Sequence, residues 1–404
     1  MIIRSVIERS PGYFGARAST CVERTYRAFG ATHSRLWLGR SSAEAQGQDD
    51  VRLASHRVRS WSPTLRPVSQ PYYPEQERSF AEDKCFLCGT QLTSDNRSDE
   101  HVIPKWVQHE FALWNQNLTL LNQTPIPYRQ LTIPCCAPCN NEHLNRIEVA
   151  VSTAWREGFD SFASLNRDVL FLWLAKIVYG LLVRELFLPA DRRRPDEGSI
   201  VEADLLREFR MHHFLMQGAR GVVRWSSLPA SIVLVRTKVS TDNRLNFDMI
   251  DAPWGPVLTM RLGEVGILSI LQDWGCFENS RFNAIERVID HELAPIQFRE
   301  AAMFTRYMGY LYKLNPGLMI STEDDGTQTV HCVGSLATTP YRPFDIGEFA
   351  TMLSFALNLN IEDVLIGDDR CVSWLTDGHG KPLDVPFEAQ AGAFTGEPPG
   401  TIAM

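Results

Sequence analysis

The chain has 404 residues, 44% hydrophobic and 22% charged, a balance that excludes a mostly disordered protein and leaves room for roughly two or three domains. No stretch recurs at a fixed period, which excludes a repeat array. The net charge of −8 excludes a protein that coats nucleic acid indiscriminately, so any such contact must come from a local patch.

Residues 1–80 carry twelve Arg, no Lys and seven acidic residues, with many Ser, Gly and Pro and weak hydrophobic periodicity. They are expected to form a disordered Arg- and Ser-rich extension. The N-terminus, MIIRSVIERS, lacks the apolar stretch of a secretory signal, which makes the cytoplasm the expected compartment.

Residues 81–150 hold five of the nine cysteines. The stretch CFLCGTQLTSDNRSDEHVIPKW supplies Cys85-x-x-Cys88, and CCAPCNNEHL supplies Cys136-x-x-Cys139. A two-residue spacer lets two sulfurs of one turn face one ion, and two such turns complete a tetrahedron, so the pairs predict zinc. Cys135 competes with Cys136 for the fourth place; the spacer favours Cys136. Between the pairs stand Glu100 and His101. A carboxylate is a hard ligand suited to Mg²⁺ or Mn²⁺, and an imidazole neutral near pH 7 can accept a proton from water. Asn140 and His143 follow the last cysteine where a helix is expected to begin, three apart and on one face if that helix is regular.

From Leu144 to Gln217 the pattern is helical. Ile147, Val151, Ala154 and Trp155 share a face. A strongly apolar helix is expected over 169–188. Its apolar run contains Lys176 and is flanked by Arg167, Asp168, Arg184 and Glu185, so it reads as a buried helix and not a membrane span of about 20 apolar residues. A third, amphipathic helix is expected over 200–217, with His212 and His213 packing or capping. From Ser231 the pattern turns to strands: SIVLVRTKVS, RLNFDMI, VLTMRL and GILSIL. Helices return at 283–313 with a break near Pro295, followed by the strands LMIST and TVHCV around EDDG. Asp345-x-x-Glu348 predicts a capping box. The last fifteen residues are expected to fray. The expected organisation is therefore the 1–80 extension, a zinc-binding domain at 81–150, a helical domain at 151–230 and an α+β domain at 231–404.

The pattern C-x-x-C … E-H-V-I-P … C-x-x-C-N resembles the HNH endonuclease family over about 60–70 residues. The resemblance implies a ββα-metal finger, stabilised by zinc on Cys85, Cys88, Cys136 and Cys139. It further implies His101 as general base, Glu100 and Asn140 as ligands of a catalytic Mg²⁺ or Mn²⁺, and His143 as an additional site residue. Leu131 stands where the family's middle Asn usually sits, with Asn117 or Asn122 as alternatives; the chain looks closest to the E-H-x-I-P subgroup that manages without that Asn. The implied activity is metal-dependent phosphodiester hydrolysis of DNA, with RNA as the alternative substrate, in an enzyme of the bacterial-defence or mobile-element kind. The 151–404 region is the expected site of a protein partner. The rival expectation is a non-catalytic zinc module that holds nucleic acid or protein.

Lys105 and Trp106 are placed to touch a phosphate and a base or sugar, although Trp106 is expected to pack against Phe111 or Trp114. From Asp83 to Glu148 there are five basic and seven acidic residues, so help with DNA would have to come from Arg192–Arg194, or from Arg220, Arg224, Arg236 and Lys238. His291-Glu292 lacks the second His of a zinc-protease helix, because Pro295 stands there. Cys276, Cys332 and Cys371 read as core thiols. No Gly-rich phosphate loop is present, so no NTP is expected.

Overall fold

The computed structural model describes residues 70–74, 80–252, 255–280, 284–313, 316–334, 340–377, 379–389 and 401–403. The expected extension at 1–80 lies outside the described residues apart from 70–74 and 80. The architecture is α+β with several small sheets. Among the described residues no helix is long and apolar enough to cross a membrane.

The cysteine region contains β1 (Glu100–His101), α1 (Lys105–Glu110), β2 (Asn117–Thr119), β3 (Pro125–Pro127) and β4 (Thr132–Ile133). β1 pairs antiparallel with β4, Glu100 opposite Ile133 and His101 opposite Thr132, while β2 and β3 form a separate hairpin. After β4 the chain enters a widened π turn, Cys139–Leu144, that runs into α2 (Asn145–Arg156).

α3 (Phe159–Ala163) leads to α4 (Arg167–Leu186), the long apolar helix. It starts two residues earlier than the hydrophobic pattern suggests because the Asn166 side chain accepts the Asp168 N–H at 2.7 Å and caps it. Nearly every residue from Leu170 to Val183 is buried, on all sides of the helix. Such a helix lies inside a protein and not on it.

The amphipathic stretch over 200–217 is two short helices, α5 (Ala203–Glu208) and α6 (Arg210–Met216), interrupted at Phe209. Downstream of the break, the adjacent His212 and His213 are both buried. His212 Nε2–H donates to the Ala175 carbonyl on α4 at 2.9 Å.

β5 (Val223–Trp225) is followed by β6 (Ser231–Arg236), β7 (Phe247–Ala252), β8 (Val257–Leu262) and β9 (Val265–Ile270). The last four form an antiparallel sheet in the order β6-β9-β8-β7. Its residues are buried on both faces, save part-buried Arg236. Alternation divides them. Ile232, Leu234, Met249, Met260 and Ile267 join one core with α4 and the cysteine region. Val233, Val235, Ile250, Leu268 and Ile270 join a second with α7 (Pro295–Leu311) and α8 (Ile346–Leu357). β10 (Leu318–Thr322) and β11 (Gln328–Cys332) form the expected hairpin, and β11 adds β5 in parallel. At α8 the Asp345 carboxylate accepts the Glu348 N–H at 2.9 Å, while the Glu348 carboxylate accepts the Tyr307 hydroxyl at 2.9 Å in place of the reciprocal cap bond. β12 (Leu365–Ile366), β13 (Arg370–Val372) and β14 (Thr401–Ala403) make a last small sheet, so one piece of the C-terminal stretch expected to fray is paired.

Burial holds His212 at about 4, below its ordinary 6.5. A folded-state value below the unfolded one gives a contribution that is complete above pH 6.5 and is lost as pH falls from there toward 4. Wild type should therefore lose about 2 kcal/mol more stability than His212→Gln between pH 7 and pH 5. Urea unfolding of both proteins at the two pH values checks this; parallel losses would remove His212 from the pH dependence.

Candidate metal centre and the adjoining charge cluster

The first cysteine pair sits in a tight loop. Cys85 N–H donates to the Thr90 carbonyl and Gly89 N–H to the Cys85 carbonyl, both at 2.9 Å. Gly89 has φ of 73° and lies against the Tyr72 ring with no room for a Cβ, so only glycine fits both the turn and the packing. The second pair opens the π turn, with Asn140 N–H on the Cys136 carbonyl at 3.0 Å. Backbone bonds stitch the loops together: Phe86 N–H to Pro134 O at 2.9 Å, Ser98 N–H to Cys135 O at 2.8 Å and Ala137 N–H to Asn96 O at 2.8 Å.

The Sγ atoms of Cys85, Cys88, Cys136 and Cys139 all lie within 4.8 Å of one another, with Cys88 and Cys136 at 3.6 Å. Zinc bonded to four thiolates at 2.3 Å needs sulfurs about 3.8 Å apart, so the cluster is consistent with a structural zinc. Among the described residues these four form the one convergent set of possible metal ligands. Cys135 lies outside the set as a buried neighbour, its Sγ 3.9 Å from that of Cys85. The two-residue spacer thus identifies the right member of the pair. Thiol hydrogen bonds from Cys135, Cys139 and Cys88 hold Cys85 well below the usual thiol range, whereas burial pushes Cys136 up to about 12.

Helix α6 and Gln217, the residue that caps it, clamp the loop from behind. His213 Nε2–H donates to the Phe86 carbonyl at 2.9 Å, and Gln217 Nε2 donates to the Leu87 carbonyl at 2.8 Å. These are the two residues between Cys85 and Cys88. Burial lowers His213 to about 4, so the ring is neutral and can keep this single-proton role.

Glu100 and His101 point to opposite sides of β1, as strand alternation requires. Glu100 is buried, and its Oε1 accepts from Lys176 Nζ at 2.7 Å. The same ammonium donates to Glu148 Oε1 at 2.8 Å and to the carbonyls of His101 at 2.9 Å and Val102 at 3.3 Å. Burial pushes the Glu100 carboxyl up to about 7, against the pull of Lys176. Burial also works against the Lys176 charge, but Glu100 and Glu148 outweigh it and hold the ammonium above its ordinary value.

His101 is half-buried, its ring stacked near Trp114 at 6.1 Å, and Trp114 stacks in turn on His109 at 4.8 Å. Burial first, then the charges of Lys105 and Lys176, lower His101 to about 4, which leaves its ring neutral at pH 7. Asn140 turns back toward β1: its Nδ2 donates to Ser98 O at 3.1 Å and Ser98 Oγ at 3.0 Å. His143 is part-buried on the π turn, where burial and the charges of Arg146 and Arg220 lower its pKa against the pull of Glu142 and Cys85. The π turn breaks the regular helical spacing by which Asn140 and His143 were expected to share one face.

Lys176, Glu148, His213 and Gln217 take part in this region and were not picked out as site residues by motif. The usable signal was a lysine inside a helix that is apolar on every side, since a buried charge requires partners. Trp106 is partly buried against the core, its ring 5.4 Å from Trp155, on which Phe111 also packs, and 6.3 Å from Trp173. Much of the basic surface is spent on neighbouring acids: Arg236 pairs with Asp160, Lys238 with Asp384, and Arg194 with Asp191 and Glu197. Arg220 donates to Gln217 Oε1 at 2.6 Å.

Compared with family models, curated proteins and solved structures, the chain matches none.

Protein purified without added metal should carry about one zinc per chain. Cys136→Ser should lose that metal and unfold the cysteine region, and Cys135→Ser should keep it. Elemental analysis with thermal melting checks both; a folded, zinc-free wild type would remove the metal centre.

Proposed function

We propose that the chain is an HNH-type nuclease that hydrolyses phosphodiester bonds, with DNA as substrate. The reading rests on order and placement: Glu-His on a strand, a partner strand, then a helix opening at the last cysteine of a four-sulfur cluster. The observation that carries it is His101, a half-buried imidazole that is neutral at pH 7 and stacked beside Trp114. In this reading His101 accepts the proton of the attacking water. The zinc holds the loops together and takes no part in the chemistry, since four thiolates leave no open position. Lys105, exposed one helical start away, meets the phosphate.

The expected pair of catalytic-metal ligands does not fit a divalent ion as arranged. Glu100 is 5% exposed and its Oε1 is taken by Lys176, while the Asn140 Nδ2 is bonded to Ser98, so the carboxylate of the pair is already occupied by a cation. No step of the proposal therefore passes through a metal on these two side chains. The same observation favours the second reading, a non-catalytic zinc module for nucleic acid or protein, because a binding module has no use for a free Glu100.

Plasmid incubated with the full chain, with and without Mg²⁺ or Mn²⁺, separates the readings. His101→Ala should slow cleavage by about 10²–10⁴-fold while keeping the wild-type zinc content. Cleavage that survives His101→Ala, or none from the zinc-loaded wild type in any of these conditions, would leave the binding module.

A further inference from the structure

We infer that Lys176, not a divalent ion, is the resident cation of the Glu100–Glu148 pair, and that it is a positioning residue for the strand that carries His101. The inference rests on the role proposed above for His101, but not on cleavage.

The oxygen cage comes first. Two carboxylates and two backbone carbonyls converge on one point, from Glu100, Glu148, His101 and Val102. Hard divalent cations select this donor chemistry. Here the point is occupied by an ammonium, a group with three N–H donors and no other capacity. Three of the four oxygens lie at 2.7–2.9 Å and the fourth at 3.3 Å, so all three protons are used. Lys176 has nothing left to offer a substrate.

The ammonium cannot easily be exchanged for an ion. Its side chain is 2% exposed, against 7% for Glu100 and 22% for Glu148. It leaves α4 between Ala175 and Ile177, both fully buried. One turn further on, Gly180 brings α4 so close to the β1–β4 pair that a Cβ there would meet Val102, next after β1, and Ile133 side-chain atoms at 3.2 Å. The helix is therefore set at a fixed depth, and the lysine cannot withdraw without unpacking it. A tethered cation at this depth competes with any free ion at a high effective concentration.

The ammonium bridges the two carboxylates, and the Glu148 end of the cluster is the one that meets solvent. The two carbonyls bound by Nζ belong to His101 and the next residue, so the lysine fixes the backbone from which the imidazole projects.

The test uses full-length chain with its zinc, and Mn²⁺ alone as probe, titrated by electron paramagnetic resonance. Wild type should bind no Mn²⁺, or bind it with an affinity that Glu100→Gln changes by less than threefold. A wild-type Mn²⁺ site weakened threefold or more by Glu100→Gln would overturn the inference. If Glu100→Gln loses its zinc, Glu148→Gln, whose parent side chain is partly exposed, takes its place under the same criterion. A Lys176→Met chain that retains zinc should gain one Mn²⁺ site at least tenfold tighter than any in the wild type, and the gain should vanish in Lys176→Met/Glu100→Gln. A zinc-loaded Lys176→Met chain that takes up no Mn²⁺ would also overturn it; if that variant loses its zinc, the wild-type comparison decides. DNA cleavage is not read, so a failure of the nuclease reading leaves these outcomes intact.

Discussion

A charge carried by a helix that is buried on every side has to be answered from outside that helix. Lys176 is that charge, and its answer ties α4 to two other elements: β1, through the Glu100 carboxylate and the His101 carbonyl, and α2, through Glu148. Removing one partner of a buried ion pair costs roughly 3–5 kcal/mol, because the other charge is stranded. The pairing adds less net stability than that figure, since both charges were first taken from water. Its effect is on specificity: α4 has one depth and one rotation at which the ammonium is satisfied. Gly180 lets the helix reach that depth, and the apolar surface around it supplies the driving force.

The cysteine region depends on the same core. Its apolar side chains, among them Val102, Val107, Leu118 and Ile133, join α4 and one face of the four-stranded sheet in a single cluster. The other face of that sheet belongs to α7 and α8. The sheet is thus a middle layer, and side-chain parity along each strand decides which core a residue serves. His101 and Trp114 stand at the edge of this assembly, where a neutral imidazole meets solvent next to buried charge.

Local chemistry made much of this legible in the sequence. The two CxxC pairs named the four sulfurs and chose Cys136 over Cys135. The strands of the sheet, α4 and the β10–β11 hairpin were readable from periodicity, and the start of α8 from Asp345 and Glu348. The illegible parts are long-range. Nothing near Lys176 in the chain announces Glu100, 76 positions away, or the His101 carbonyl, 75 away. Trp106 gave no sign that its partners are Trp155 and Trp173. Regular helical spacing was a sound rule for Asn140 and His143, but the π turn suspended it. The interruption at Phe209 has no Pro or Gly to mark it; the hydrogen bonds of His212 and His213 give it a structural purpose.

The clamp from α6 onto the cysteine loop reaches across 127 positions at His213 and 130 at Gln217. Its consequence is geometric. The two held carbonyls belong to Phe86 and Leu87, the whole of the spacer between Cys85 and Cys88, so the separation of the first sulfur pair is set by residues packed into the main core and not by the loop alone.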